Sequence, residues 1–302
     1  ERRRSGRGAE RSMSFALIVE QLLNGIQFGV MLFLMAAGLT LVFGIMNMIN
    51  LAHGSLYMAG AFIAAALIPW TGSFVLAVLI AVPLTGLLGA VLEVGLLRRF
   101  YARTHLDQVL VTFGLILVLN EVTRLIWGPV PVPMPLPAFL GGSVELFEGV
   151  HYPTFRLAIL IVGAIVAVGL YVVVVHTRAG MWVRAGASNR PMASALGVDV
   201  QFVFSLVFAI GAALAGLAGI MAGPVFAVQI GMGEPILILA FVVTTIGGIG
   251  SIRGAFLAAL LIGVVDTFGR VLLPPALGSM VIFILMAAIL ALRPQGLFPV
   301  QN

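Results

Sequence analysis

Long apolar blocks separated by short polar islands make up almost the whole of this chain. Blocks of roughly 17–25 apolar residues suit helices that cross a lipid bilayer. They run Ile18–Phe43, Leu56–Pro69, Phe74–Leu97, Leu106–Trp127, Phe155–Val175, Gln201–Val228, Pro235–Thr245, Ala255–Leu273 and Ala276–Leu292. Leu56–Pro69 and Pro235–Thr245 are short and adjoin glycine-rich polar stretches, which suits broken or re-entrant helices lining a cavity. The pattern predicts an all-α polytopic membrane protein with about eight or nine transmembrane or re-entrant helices, the number resting on how far the two short blocks reach.

The longest polar island is Thr177–Val200, with Arg178, Arg184, Ser188, Asn189 and Arg190. Within it, Ala185–Gly197 predicts a short helix that begins near Pro191, where proline suits the first turn, and ends at Gly197, a fitting C-cap. Two roles stay open for a short surface helix flanked by arginines. It is either a linker held by anionic headgroups or a docking element that fits a groove on another protein. Arg98, Arg99 and Arg103 fill a second short loop, and the positive-inside rule puts both loops in the cytosol. Two blocks separate them, as a shared side requires. The connection Gly128–Pro153 then lies outside; it holds VPVPMPLP, Glu145 and Glu148, and its prolines read as an extended cap. Counting onward, Arg253 and Arg293 fall inside if Pro235–Thr245 crosses fully. Counting back, Asn47–Gly54 falls inside and Met13 outside.

Composition names the solvent. The 302 residues are 61% apolar and 9% charged, with a mean hydropathy of +1.18, against about half and about a quarter in soluble domains. In water such a chain would expose large sticky patches. The absence of cysteine excludes disulfides, thiol catalysis and thiolate metal sites. Lysine is absent too, which excludes a Walker A loop, whose lysine reaches the nucleotide phosphates. The net charge of +5 is no nucleic-acid signature, because five of the sixteen arginines crowd into the first eleven residues. Residues 1–12 read as a non-native or disordered extension ahead of Met13, with a basic tail as the alternative.

Few residues carry candidate chemistry. Asn47, Asn50 and His53 recur at helical spacing, either in a broken helix lining a substrate path or at a helix end capped by Asn50 and Gly54. Thr244 and Thr245 precede a glycine-rich stretch that suits either a helix break at the same cavity or close packing between helices. Asp266 and Arg270, four apart in an apolar run, share one helix face; they read as a buried charge pair, with a proton relay as the rival. Glu93 lies one turn from Arg98 and Arg99 and can pair there. Asn120, Glu121 and Arg124 form a similar, less buried group. The small residues of Ala209–Gly223 read as close helix packing. No metal site and no cofactor is expected, since no carboxylates cluster with the four histidines. A faint repeat relates Gly44–Phe62 to Gly247–Gly263, aligning His53-Gly54 with Arg253-Gly254; chance likeness between apolar segments is the alternative.

Three stretches, GLTLVFGIMNMINLAHGSLYMAGAF, TRAGMWVRAGASNRPMASALGVDV and GGIGSIRGA, resemble in order and spacing the branched-chain amino acid ABC transporter permeases of the LivH type. The resemblance runs from Met13 to about Pro299 and implies a single permease domain over 13–299. It implies an ATPase-coupling loop at Arg184, Ala185, Ala187, Ala193 and Gly197, which docks on a partner that supplies ATP hydrolysis. The implied partners are a second homologous permease, two ABC ATPase subunits and a periplasmic solute-binding protein, in a bacterial inner membrane. The permease itself is then no enzyme, and substrate passes between the two permeases. Branched-chain amino acids lead as substrate; urea or short amides are the alternative within the family. A secondary transporter with Asp266 as proton relay is the rival from another class. An intramembrane enzyme is disfavoured, since paired carboxylates, cysteine and a Ser–His constellation are missing.

Overall fold

The computed structural model describes residues 15–147 and 150–298, so the extension expected over 1–12 lies outside the described residues. These form α1 (Phe15–Met46), α2 (His53–Thr71), α3 (Phe74–Gly95), α4 (His105–Trp127), α5 (Thr154–His176), α6 (Arg178–Ser188), α7 (Arg190–Ala195), α8 (Val200–Phe226), α9 (Gly233–Gly247), α10 (Ile252–Leu272) and α11 (Pro275–Leu292). Eight are long and apolar enough to cross a membrane. The protein is a multi-pass membrane protein. α9, with 15 residues, spans only about 22 Å, short of the about 30 Å hydrocarbon core. α2 is longer than its apolar block, because it starts at His53 and carries Pro69 in its last turn.

Helix starts follow local chemistry. Ser73 accepts from Leu76 N at the start of α3, Thr104 and Asp107 form a capping box on α4, and Asp199 and Ser251 cap α8 and α10. The arginine island holds one helix more than expected. The short helix expected to begin near Pro191 and close at Gly197 is α7, and α6 precedes it. Thr177 accepts from Gly180 N at 3.2 Å and Asn189 from Met192 N at 3.0 Å, so each helix brings its own cap. The chain leaves α7 through Gly197 at φ +87°, a left-handed conformation suited to glycine.

α1 and α8 are buried along most of their length, whereas α3, α4, α5 and α11 turn apolar faces outward, as lipid-facing helices do. α1 runs antiparallel to α10, with Gly25 against Gly263 and Val264, and Gly29 against Ala259 and Leu260. Phe33 meets Phe256 edge to face at 5.1 Å. On α8 the small residues Gly211, Ala215, Gly219 and Gly223 repeat every fourth position and are buried. Gly216 of that helix meets Gly60 of α2 and Thr85 of α3; a side chain there would strike the opposing helix. Such close approach is how apolar helices gain packing where lipid offers no hydrophobic drive.

The two ends of the bundle differ. Arg98, Arg99, Arg103, α6 and α7 mark one. The other carries the α4–α5 connection, where a hairpin of β1 (Ser143–Phe147) and β2 (Val150–Pro153) pairs Val144 with Tyr152 and Glu145 with His151. Val132 of its proline-rich part bridges to Val228 after α8, N to O at 2.8 Å.

Candidate functional site

α1 stops at Met46, and the chain from Asn47 to Ala52 is not helical. Asn47 takes φ +50°, a region asparagine tolerates better than most residues. The chain then turns back into the bundle, where Ile49 N–H donates to Gln108 Oε1 of α4 at 3.3 Å. Gln108 in turn donates to the Phe100 and Arg103 carbonyls. Irregular backbone at bilayer depth persists only where protein or a cavity satisfies it. α2 begins inside the protein: the His53 ring lies against Gly38 of α1, and Gly54 packs on the backbone of Gly233, the first residue of α9.

Asn50 and His53 are fully buried. Their four side-chain nitrogen and oxygen atoms have no hydrogen-bond partner among the described residues; the imidazole lies near the Met35 backbone without bonding geometry. Each buried unpaired polar group costs about 1–3 kcal/mol, which stability alone does not explain. The alternative of a helix end capped by Asn50 is not met, since Ala52 holds the cap position and makes no side-chain bond. Asn47 is exposed at the arginine-rich end. Thr244 is buried, bonded to the Ala240 carbonyl at 2.8 Å and 3.2 Å from the Thr40 hydroxyl. Thr245 bonds the Phe241 carbonyl at 2.7 Å. Both threonines are thus satisfied on their own helix.

The surface helices touch this break directly. Arg190, the first residue of α7, donates to the Met46 carbonyl at 2.7 Å and the Ile45 carbonyl at 3.4 Å. Those are among the acceptors that the end of α1 leaves free. Its guanidinium also lies 4.9 Å from the ring centre of Phe204 on α8. Arg184 folds back onto the Val174 carbonyl of α5. Ala193 is buried and Ala185 half-buried, while Ala187 and Gly197 are exposed. Met181, Trp182, Met192 and Leu196 are exposed too, and residue patterning alone did not single out these apolar side chains.

The neighbouring arginine loop is anchored to the same helices. Glu93 is fully buried; it accepts from Arg98 Nε at 3.1 Å and Nη2 at 3.2 Å, from the Tyr101 hydroxyl at 2.6 Å and from Ser205 Oγ at 2.5 Å. Burial first, and then the bond to Glu93, pushes the Tyr101 hydroxyl well above the usual phenol range, so it remains a donor. The Tyr101 ring meets Phe204 at 5.9 Å. Glu121 and Arg124 pair at 3.3 Å in the open, while Asn120 donates to Glu234 of α9 at 2.8 Å. In the two segments read as a repeat, Gly54 and Gly254 each pack on a glycine of α9. The partners before them differ, for His53 is buried and Arg253 bonds the Tyr171 hydroxyl at 2.7 Å.

At the end away from the arginine loops lies a cavity of about 610 Å³, within the roughly 300–1,000 Å³ of small-molecule sites. Gln27, Tyr57, Arg156, Asp266 and Arg270 supply polar lining, beside apolar Phe28, Ile236 and Leu239. Arg270 Nε donates to Asp266 Oδ2 at 2.8 Å. Asp266 is buried and Arg270 mostly exposed, and Asp266 Oδ1 has no partner. Tyr57 and His53 lie four apart on α2, hence on one face. Tyr57 lines the cavity, and His53, one turn before it at the start of α2, is fully buried. Gln27, Tyr57 and Arg156 escape sequence reasoning; the polar residues Asn24 and Gln27 within the first apolar block are the signal that marks the spot.

Fold and site together define a polytopic helical membrane protein of the transporter kind, with broken helices meeting in its interior. The chain belongs to the family described as branched-chain amino acid transport system / permease component, whose model matches residues 21–290. It is 33% identical over 291 residues to the Pseudomonas aeruginosa high-affinity branched-chain amino acid transport system permease protein BraD, covering 92% of this chain and 95% of that one. It is 30% identical over 303 residues to the permease protein LivH of the corresponding system in Salmonella typhimurium, covering 95% and 97%. These relatives are named as permeases, not enzymes. No solved structure matches the chain.

Proposed function

We propose that this chain is a membrane permease subunit of an ATP-driven importer for branched-chain amino acids, seated in a bacterial inner membrane. The arginine-rich end faces the cytosol. There α6 and α7 dock on one of two ATPase subunits, and the exposed Met192 and Leu196 of this face supply apolar anchors for a groove. A second permease and a periplasmic solute-binding protein complete the assembly. Without a lysine the chain has no Walker A loop of its own, so the driving free energy comes from the partners.

The observation that carries this reading is the bond from Arg190 to the Met46 carbonyl. It joins the docking helix to the α1–α2 break, where Asn50 and His53 hold unpaired polar atoms. A shift of α7 on nucleotide binding pulls on the end of α1 and changes the packing of those two side chains. Substrate enters from the opposite end and leaves past Asn47.

The test is uptake of radiolabelled leucine into proteoliposomes that hold the assembled transporter. Uptake should require the solute-binding protein and ATP. Uptake driven by a pH gradient without ATP would overturn the reading and return Asp266 to the role of proton relay.

A further inference from the structure

Between α5 and α10, over α1, runs an apolar cleft of about 430 Å³. Ala164, Ala167 and Val168 of α5 form one wall, Phe256 and Leu257 of α10 the other, and buried Phe33 of α1 the floor. Val168 and Leu257 are exposed, so the cleft opens onto the outer surface, where a membrane-spanning helix meets acyl chains. At the arginine-rich end of the bundle the cleft finishes in a cation. Arg253 Nη2 donates to the Tyr171 hydroxyl at 2.7 Å, and its guanidinium carbon lies 4.8 Å from the Tyr171 ring centre. The Tyr171 ring in turn meets His176 edge on at 5.7 Å. These contacts fix the guanidinium at the mouth of the cleft without neutralising it. Arg253 is exposed and has no acidic partner among the described residues, and a guanidinium has five N–H donors, of which Tyr171 takes one. Its place in the first turn of α10 adds the positive end of the helix dipole.

We propose that this cleft holds one anionic phospholipid of the adjoining leaflet, with an acyl chain along Phe33, Ala164 and Phe256 and the phosphate on Arg253. The planar guanidinium suits bidentate contact with phosphate oxygens, and a basic residue between transmembrane helices is the setting in which acidic headgroups are held. The lipid ties α5, which is mostly exposed, to α10 beside the contact between Phe33 and Phe256. The proposal rests on the membrane-spanning fold and not on the transport reading.

The full chain is purified in detergent, stripped of lipid and titrated with phosphatidylglycerol or with phosphatidylcholine of identical acyl chains. Melting temperature and the lipid retained in native mass spectra are read together. Phosphatidylglycerol should raise the melting temperature with one retained molecule, at about fivefold lower concentration than phosphatidylcholine. Arg253→Gln should erase that preference and leave the weaker response to phosphatidylcholine. Tyr171→Phe removes the hydroxyl, keeps the guanidinium and should retain the preference, which separates lipid binding from a merely structural bond between the two side chains. Ala164→Phe fills an exposed part of the cleft and should weaken the response to both lipids. Arg103→Gln, at an exposed arginine of another loop, should change nothing. Equal responses to the two lipids in the unaltered chain, or equal loss of preference in Arg253→Gln and Arg103→Gln, would overturn the site. Should Arg253→Gln not insert, undiminished retention of phosphatidylglycerol by Ala164→Phe would overturn it. Loss of the retained lipid on assembly with a second permease would also do so, by giving the cleft to a partner helix.

Discussion

Arg190 Nη2 lies 2.7 Å from the Met46 carbonyl, so the first residue of a surface helix closes the last turn of a deeply buried one. The same guanidinium faces Phe204, which faces Tyr101, which donates to Glu93. Both arginine-rich loops are thereby tied to α1, α3 and α8 by contacts that have a definite geometry and can be cut one at a time.

Docking is tested at the end of α7. Leu196 is 78% exposed, and Leu196→Glu places a charge where an apolar anchor is required. Gly197→Pro fixes φ near −65° where the chain has φ +87°. Both variants should still insert, while co-purification of the ATPase falls about tenfold or more. Undiminished co-purification would remove the docking role.

At the break, Asn50→Leu and His53→Leu remove polar atoms that have no partner. Replacing an unsatisfied buried group by an apolar one of similar size is near neutral or stabilising. Melting temperature in detergent should therefore hold or rise while uptake per inserted molecule drops. A fall in stability with normal transport would make the pair structural.

Glu93 separates architecture from transport. Glu93→Gln takes the charge from a buried carboxylate that four donors address, and breaking such a pair costs about 3–5 kcal/mol. Glu121→Gln, whose partner Arg124 is mostly exposed, should cost under about 1 kcal/mol. Denaturation of the two variants side by side checks the ranking, which an equal loss would refute.

The helices are legible in the sequence because bilayer depth imposes run length. The block Leu106–Trp127 differs from α4 by one residue, and Phe74–Leu97 from α3 by two. Glu93 with Arg98 and Asp266 with Arg270 follow from helical spacing, since charges in apolar runs need neighbours. What spacing does not reveal is which face of an apolar helix meets a cavity. Tyr57 and Arg156 look like packing and like a helix end until α1, α2, α5, α9 and α10 are brought around one space. α6 is hidden for a different reason. Its sequence RAGMWVRAGAS is rich in glycine, and its first turn rests on the Thr177 cap and on close packing of Gly180 against the end of α5, tertiary support that composition does not announce.

The most direct measurement is ATP hydrolysis and leucine uptake in the same vesicles for Arg190→Ala. The substitution removes the bonds to the Met46 and Ile45 carbonyls and leaves Met192 and Leu196 for docking. If α7 transmits motion to the α1–α2 break through this guanidinium, hydrolysis persists while uptake per ATP falls about tenfold. Uptake per ATP equal to that of the unaltered protein would contradict it.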